Sequence, residues 1–340
     1  MTTPLFDQRR PLGSTSLALP RFGLGGAALG ELSAIVPEQQ SQATLERAWD
    51  LGIRFYDTAP WYGRGMSEHR IGGFLRTRPR EFVITTKVGR TLHRPADPAH
   101  FDRSPWKGGF RFEVHFDYSR DGILNSYEQA LQRLGLDSVD ALLIHDLDRR
   151  YHGDDVDVHR RALETSGFKA LEELKAAGDI KAIGMGINDS HSIEEVASHV
   201  DVDFLLVAMP YTLLDQSALH AGMKRCVARN IGIIIGAPFA SGLLALGSRS
   251  GATYEYTTPP QAILDKLERI EAVCAAHSVP LQAAALQFPL AHPAVASIIP
   301  GVISPAQVEQ NIASLTIPIP TAFWSDLRSE GLIDTEAPTP

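Results

Sequence analysis

The sequence contains little cysteine. Cys226 and Cys274 are its two cysteines in 340 residues, too few for a disulfide-stapled scaffold or a cysteine-rich zinc site. Low cysteine content is compatible with a reducing compartment, and the first residues contain no apolar core of signal-peptide length. We therefore expect a cytoplasmic protein.

Positive charge is also scarce. The chain has 32 Lys and Arg residues against 40 Asp and Glu residues, which gives a net charge of −8. Nucleic acids and anionic membranes attract proteins with the opposite balance. We expect neither as a partner and predict a small-molecule substrate instead, with the chain acting as a monomer or a small homo-oligomer.

An unbroken membrane-spanning run is missing as well. Residues 231–248 and 272–308 contain no Asp, Glu, Lys or Arg, but glycines such as Gly236 and prolines such as Pro289 interrupt them. A membrane span needs about 20 apolar residues in one continuous helix. We interpret both stretches as buried strands and a buried helix.

Short apolar runs alternate with longer amphipathic segments along the chain. The predicted strands are 21–25, 53–57, 82–87, 139–145, 180–184, 203–208, 231–236 and 295–300. Several are apolar at successive positions, which is typical of parallel strands covered on both faces. The predicted helices are 41–51, 67–76, 122–134, 167–177, 190–199, 217–229, 260–277 and 305–314, and we expect Ser67 to cap the second.

Eight strand–helix units without a linker predict a (β/α)8 TIM barrel. We expect one domain over residues 1–340, with its core at about residues 12–332 and a small hairpin around Gly13 and Ser14 ahead of the first barrel strand. Three long connections, 88–119, 146–166 and 237–259, each follow a strand. They should therefore lie on the C-terminal face, where barrel enzymes hold their sites.

Four polar residues lie at or just after the ends of neighbouring strands. Asp57, Lys87 and His145 end the second, third and fourth strands, and Tyr62 follows Asp57 by five residues. Each alone has a simpler explanation, such as a turn residue for Asp57 or a packing ring for Tyr62. Because neighbouring parallel strand ends meet at one edge, we expect the four to form a site.

These side chains suggest acid–base chemistry. A free tyrosine has a pKa of about 10, and an ammonium about 4 Å away interacts by about 4 kcal/mol at an effective dielectric constant of 20. That interaction would lower the phenol pKa by up to about 3 units. Asp57 would hold Lys87 in an ion pair, and His145 would hydrogen-bond a substrate oxygen. The set would serve as an acid–base group for an alcohol or a carbonyl.

Three motifs resemble those of the aldo-keto reductase family, in the same order. They are DTAPWYGRGMSE at 57–68, TTKVG at 85–89 and LLIHD at 142–146, and the resemblance extends from about residue 12 to residue 332. It implies a (β/α)8 barrel that binds a nicotinamide cofactor and uses no metal. It also implies that the catalytic tetrad is Asp57, Tyr62, Lys87 and His145.

Four further segments are similar to one branch of that family, which contains D-threo-aldose and L-fucose dehydrogenases and a pyridoxal 4-dehydrogenase. They are FDYS at 116–119, HDLD at 145–148, YTLL at 211–214 and residues 284–301. The likeness implies oxidation of the anomeric hydroxyl of an aldose to a lactone. Alternatives are pyridoxal oxidation, NADPH-dependent carbonyl reduction and a non-catalytic cofactor-binding subunit. The chain departs from the pattern at Ala240, where Asn or another residue is expected.

The resemblance also assigns the cofactor contacts. Asn188 would hold the carboxamide and Tyr211 would stack on the nicotinamide, and an Asx turn and core packing are the alternatives for these two residues. The remaining positions implied for the cofactor are Asp57, Ala237, Pro238, Gly242, Gly301, Ser304, Gln307 and Asn311. Members that use NADP carry Lys and Arg where this chain has Gly301 and Gln307. We therefore expect NAD to be the preferred cofactor and NADP the less favoured one.

The remaining candidates concern the substrate and two alternative motifs. Residues expected in the pocket wall are Trp61, Phe116, Tyr118, His145, Asp146 and Phe239, of which Trp61 and Phe116 could instead belong to the core. A glycine motif at 23–28 fits a dinucleotide fingerprint but lacks a well-placed acid. The seven-residue spacing of His145, His152 and His159 matches no zinc motif.

Overall fold

The computed structural model describes residues 8–340 except residue 256, and eight of its strands form a parallel barrel. The strands of the described residues are β1 Arg9–Pro11, β2 Ala18–Pro20, β3 Leu24–Gly25, β4 Phe55–Asp57, β5 Val83–Val88, β6 Arg90–His93, β7 Glu113–Phe116, β8 Ala141–His145, β9 Ala182–Ile187, β10 Phe204–Ala208, β11 Gly232–Gly236 and β12 Val295–Ile299.

The barrel strands run in the order β12-β11-β10-β9-β8-β5-β4-β3. Parallel bridges from Phe22 to Ile298 and from Gly25 to Gly301 join the two ends of this sheet. The sheet is therefore closed, and the predicted TIM barrel is confirmed. Every predicted strand overlaps an observed one, and most of them are short apolar runs that the barrel buries on both faces.

Helices surround this barrel. They are α1 Glu38–Asp50, α2 Met66–Leu75, α3 Arg120–Leu134, α4 Arg149–His152, α5 Val156–Ala162, α6 Phe168–Ala177, α7 Ser190–His199, α8 Lys224–Arg229, α9 Leu243–Leu246, α10 Gln261–Ala276, α11 Leu281–Leu290, α12 Pro305–Thr316 and α13 Thr321–Ser329. Five of these helices, α4, α5, α9, α11 and α13, were not among the predicted eight. Helix α11 is almost wholly buried and lacks the polar face on which periodicity depends.

The predicted cap of α2 is wrong. The helix begins after Gly65, whose φ of +96° places it in the left-handed region, and no side chain caps it. Ser67 instead donates a hydrogen bond to the carbonyl oxygen of Gly26 at 2.8 Å and accepts one from Thr58 at 2.9 Å. It therefore ties α2 to the ends of β3 and β4, beside the predicted site.

The predicted N-terminal hairpin is confirmed and closes the bottom of the barrel. Strands β1 and β2 pair antiparallel, from Arg9 with Pro20 to Pro11 with Ala18. Leu12 and Leu19 are fully buried and belong to one apolar cluster with inward-facing residues of the barrel strands. This leaves the C-terminal ends of the strands as the open face.

The long connections all leave from that open face. Residues 89–119 carry the antiparallel pair β6 and β7, residues 146–167 carry α4 and α5, and residues 237–260 carry α9. Within the described part of the chain, no helix combines the length and the apolar character that a membrane crossing requires.

Candidate active site

The centre of the site is a buried ion pair between neighbouring strands. The Lys87 ammonium donates to both carboxylate oxygens of Asp57, at 2.9 and 2.8 Å, and to the carbonyl oxygen of Thr58 at 2.8 Å. Thr85 donates to Asp57 at 2.8 Å. Burial raises the pKa of the Asp57 carboxyl, while Lys87 and Thr85 act in the opposite direction. Since three acceptors surround the three N–H bonds, Lys87 is held as a fixed cation.

Tyr62 lies against this cation. The Lys87 Nζ atom is 4.7 Å from the centroid of the half-buried Tyr62 ring. The ring of His145 is 5.9 Å from that of Tyr62, at an interplanar angle of 87°. The structure therefore brings the four predicted residues Asp57, Tyr62, Lys87 and His145 together.

His145 is neutral in this setting. Burial is the main cause that lowers the pKa of its ring well below the usual value, and the cations of Arg90 and Lys87 add to the effect. Its Nε2 atom is 3.2 Å from an oxygen of Asp146. Its buried Nδ1 atom has no hydrogen-bond partner among the described residues. A neutral imidazole has one N–H donor, and the carboxylate beside Nε2, which only accepts, places that N–H on Nε2.

Asp146 and Asn188 are linked in one buried chain of contacts. Asp146 accepts from Arg90 at 2.8 Å through Oδ2 and from Asn188 at 2.9 Å through Oδ1. Its φ is +44°, an uncommon conformation for a residue with a side chain. Sequence reasoning missed Arg90, because it begins the short strand β6 in a long connection and belongs to no motif of its own.

Tyr118 does not belong to the pocket wall, and this expectation is corrected. The side chain is fully buried, and its hydroxyl donates to the carbonyl oxygen of His145 at 2.7 Å and lies 3.0 Å from Nε2 of His152. Its ring fills the space beside Gly89, where a Cβ atom would lie 2.3 Å from it. Tyr118 therefore supports the His145 backbone from beneath.

Aromatic side chains surround Arg90 at the rim. Its guanidinium carbon is 5.5 Å from the Trp61 ring, 5.3 Å from Phe116 and 4.8 Å from Tyr151. Phe116 is 37% exposed, so it is a surface residue and not part of the core. Phe239 lies elsewhere, half-buried in the loop after β11 and packed on the core.

A further aromatic residue, Trp106, was missed. Its ring lies 5.7 Å from Trp61 and 6.1 Å from Tyr62, and its buried indole N–H has no partner among the described residues. The loop that carries Trp106 is fixed by Glu31, which accepts from the amide of Gly109 at 3.1 Å through its side chain. The only signal in the sequence was an aromatic residue in a long loop on the C-terminal face.

Three predicted cofactor contacts are occupied by other interactions. Tyr211 is fully buried, and its ring stacks on Phe288 with 5.5 Å between centroids. The structure thus has the core-packing arrangement, and stacking on a nicotinamide would require the Tyr211 ring to become exposed. Ser304 accepts from the amide of Gln307 at 3.3 Å, and Gln307 accepts from the amide of Ile303 at 2.8 Å. Both side chains stabilise the start of α12.

The turn after β11 and the start of α12 are the remaining candidates for a dinucleotide. Ala240, Ser241 and Gly242 follow β11 with φ angles of +48°, +58° and +103°. The amides of Ala240 and Gly242 already donate to the carbonyl oxygens of Ala237 and Phe239, at 2.9 and 3.0 Å, so of these three residues the turn offers phosphate at most the N–H of Ser241. The N-terminus of the 12-residue α12 lies after the next strand, near the predicted positions Gly301 and Asn311. Asn adopts a left-handed conformation more readily than Ala, and this explains why an Asn is expected at the position of Ala240.

The open face also has a second feature, a cleft of about 1000 Å³ beside Asn188 and Met209. Charged side chains line much of it, and the four predicted catalytic side chains are not among them. In the part of the chain that the structure describes, no group of three or more His, Cys, Asp or Glu side chains is arranged to hold a metal.

Comparisons with known proteins identify the family of this chain. Residues 21–330 match the sequence profile of the aldo/keto reductase family. The chain is 41% identical to a pyridoxal 4-dehydrogenase from Microbacterium luteolum, over 96% of this chain and 98% of that protein. It is 40% identical to a D-threo-aldose 1-dehydrogenase from a Pseudomonas species, over 95% and 97%.

The fold comparison agrees as well. The holo form of an aldo-keto reductase from Bacillus halodurans superposes with a TM-score of 0.72 at 24% identity, covering 97% of each chain. The sequence resemblance is thereby confirmed. This chain belongs to the aldo/keto reductase family and is an NAD(P)-dependent oxidoreductase.

Proposed function

We propose that the enzyme is an NAD-linked dehydrogenase that oxidises the anomeric hydroxyl of an aldose to a lactone. The observation that carries the proposal is the saturated Lys87 ammonium against the Tyr62 ring, with a neutral His145 across from it. A cation fixed beside a phenol stabilises the phenolate, which is the form that can accept a proton.

In this mechanism the phenolate of Tyr62 accepts the hydroxyl proton of the substrate. The Nε2–H of His145 donates to the same substrate oxygen in place of Asp146 and orients it. A nicotinamide held by Asn188 would supply the hydride acceptor for the carbon that carries this oxygen. Asp57 keeps Lys87 in place and takes no proton itself.

The two most similar relatives reported above support a cyclic hemiacetal substrate. One acts on an aldose and the other on pyridoxal, and both compounds form a ring carbon that bears a hydroxyl. The aromatic rim of Trp61 and Phe116 suits the flat face of either ring. Pyridoxal oxidation is therefore the second candidate, for the same catalytic residues.

The preference for NAD rests on the start of α12. Gly301 and Gln307 supply no cation for a 2′-phosphate, and Gln307 already accepts from Ile303. On the same helix the exposed Glu309 pairs with Arg47 at 2.7 Å, so this guanidinium already has an acidic partner. A 2′-phosphate would lack charge-assisted hydrogen bonds worth about 1.5–3 kcal/mol each.

The test is a turnover screen of the purified chain with NAD or NADP, a panel of aldoses and pyridoxal. The reduced cofactor is followed by absorbance and the lactone by mass spectrometry. Aldose oxidation with NAD supports the proposal, and turnover of pyridoxal alone selects the second candidate. Carbonyl reduction with NADPH alone, or binding of cofactor without any turnover, would refute the assignment as a dehydrogenase.

A further inference from the structure

We infer that Asp146 and Arg90 set the orientation of the Asn188 amide, so that Asn188 presents its carbonyl oxygen to the carboxamide N–H of the cofactor. This inference rests on the proposed role of Asn188 at the nicotinamide. Asp146 and Arg90 act through Asn188 and are positioning residues.

The direction of the Asn188 amide follows from hydrogen-bond chemistry. An ionised carboxylate only accepts, so the group facing Asp146 must be the NH2 end of the amide, and Nδ2 lies 2.9 Å from Oδ1. The other end of the Asn188 amide is the carbonyl oxygen, and no hydrogen bond to it is formed by the described residues. Because the Asn188 carbonyl oxygen accepts hydrogen bonds, it favours a ligand group that donates one.

The hydrogen bond between Arg90 and Asp146 can run in one direction only. A guanidinium only donates and stays charged, and it binds the second oxygen of Asp146 at 2.8 Å. Its side chain is 1% exposed, so water does not supply an alternative acceptor. Asp146 therefore faces a donor on each of its two oxygens, and while Asp146 is ionised only the NH2 end of Asn188 can face it.

The backbone of Asp146 supports the same reading. Its φ of +44° is rare for a non-glycine residue. Such conformations persist where the surroundings hold the residue, and they cluster at functional sites. Here the surroundings are Arg90, Asn188 and the adjacent ring of His145, whose Nε2 is 3.2 Å away.

The variant Asp146→Asn reverses the direction of the hydrogen bond between residue 146 and Asn188. Because Arg90 only donates, the introduced amide must turn its oxygen toward Arg90 and its NH2 group toward Asn188. Asn188 then turns its carbonyl inward and presents NH2 to the ligand. The variant should therefore prefer a ligand that accepts a hydrogen bond from Asn188 over one that donates to it.

The test measures equilibrium binding of two reduced cofactors by nucleotide fluorescence, without substrate. One is NADH and the other is the analogue in which an acetyl group replaces the carboxamide and removes its N–H donors. The wild-type chain should favour NADH by about 3- to 10-fold, the value of one hydrogen bond. The Asp146→Asn variant should lose or invert that ratio, and Asn188→Ala should abolish it.

A matched control lies at the opposite end of β8. Asp140 is also a buried acid, and it accepts from Arg80 at 3.0 Å, Lys181 at 2.8 Å and the amide of Ile84 at 2.9 Å. Asp140→Asn should lower the unfolding midpoint and leave the binding ratio unchanged. This separates positioning at the cofactor from a general loss of stability.

The possible outcomes test the cofactor site and the positioning role of Asp146 separately. A wild-type chain that binds neither nucleotide refutes the cofactor site itself. A wild-type chain that binds both equally, or an Asp146→Asn variant that keeps the wild-type ratio, overturns the inference and leaves the dehydrogenase proposal standing. If Asp146→Asn does not fold, Asn188→Ala decides, and an unchanged ratio there overturns the inference as well.

Discussion

The Lys87 ammonium lies 2.9 and 2.8 Å from the two carboxylate oxygens of Asp57, and both side chains are almost fully buried. Breaking a buried ion pair by removing one partner leaves a charge without compensation, whereas removing both is often tolerated. The pair therefore links the stability of the barrel to its proposed chemistry, and substitutions can separate the two.

Lys87→Met should cost about 3–5 kcal/mol of unfolding free energy, because it leaves the Asp57 carboxylate buried without its cation. The double variant with Asp57→Asn should recover a large part of that loss, while remaining inactive. Urea unfolding at neutral pH measures both. Equal destabilisation of the single and the double variant would contradict this account of the pair.

Tyr62→Phe should lower kcat by about 100-fold or more, because it removes the group that takes the substrate proton. The fold should remain intact, since the Tyr62 ring keeps its contacts with His145 and Trp106. Steady-state kinetics and thermal unfolding check this. Turnover close to the wild-type rate would exclude Tyr62 as the acid–base group.

Tyr118→Phe is the comparison that the corrected placement provides. It removes a buried hydrogen bond to the His145 carbonyl, so it should cost about 1 kcal/mol of stability. Its effect on kcat should be much smaller than that of Tyr62→Phe. A large change in KM for the substrate with unchanged stability would instead return Tyr118 to the pocket wall.

The sequence predicts those site residues whose positions follow from the strands and the strand ends. Asp57, Lys87 and His145 are near one another because parallel neighbours end at the same edge, and apolar runs locate those strands well. The path of a long loop depends on distant contacts, such as Glu31 with Gly109, which leave no local pattern. For that reason Trp106 was missed.

Tyr118 was misplaced for a related reason. The exposed Phe116 lies two residues before Tyr118, and residues two apart on a strand point to the same face. The strand β7 ends at Phe116, however, and the Tyr118 ring packs beneath Gly89. Tyr211 and Ser67 gave a similar difficulty. Their chemistry allowed two roles, and only packing in three dimensions distinguishes them.

Stability should fall as the pH is lowered from about 7 toward 4. Burial lowers the pKa of His292 and of His152 to about 4, whereas an unfolded histidine titrates near 6.5. Between these values the unfolded chain binds the proton and the folded chain does not, so each histidine removes up to about 1.4 kcal/mol per pH unit.

His292→Asn isolates one of these contributions. The Nδ1 atom of His292 accepts from the amide of Ala294 at 3.2 Å, and an asparagine oxygen can replace that acceptor without titrating. The slope of unfolding free energy against pH should therefore decrease by the equivalent of one proton. Urea unfolding at several pH values gives that slope, and identical slopes for the variant and the wild type would contradict the assignment of a neutral, buried His292.

Gln307→Arg should shift the cofactor preference toward NADP. A guanidinium at the start of α12 would supply a charge-assisted hydrogen bond to a 2′-phosphate, worth about 1.5–3 kcal/mol, or roughly a 10-fold or larger gain in kcat/KM with NADP. The variant loses the Gln307 contact with Ile303, so a small decrease in stability accompanies the gain. Ala313→Arg is the matched control, because it adds the same charge at an exposed position on α12, six residues and about 9 Å further along the axis. An equal gain in both variants would mean that net charge, and not the position of Gln307, sets the preference.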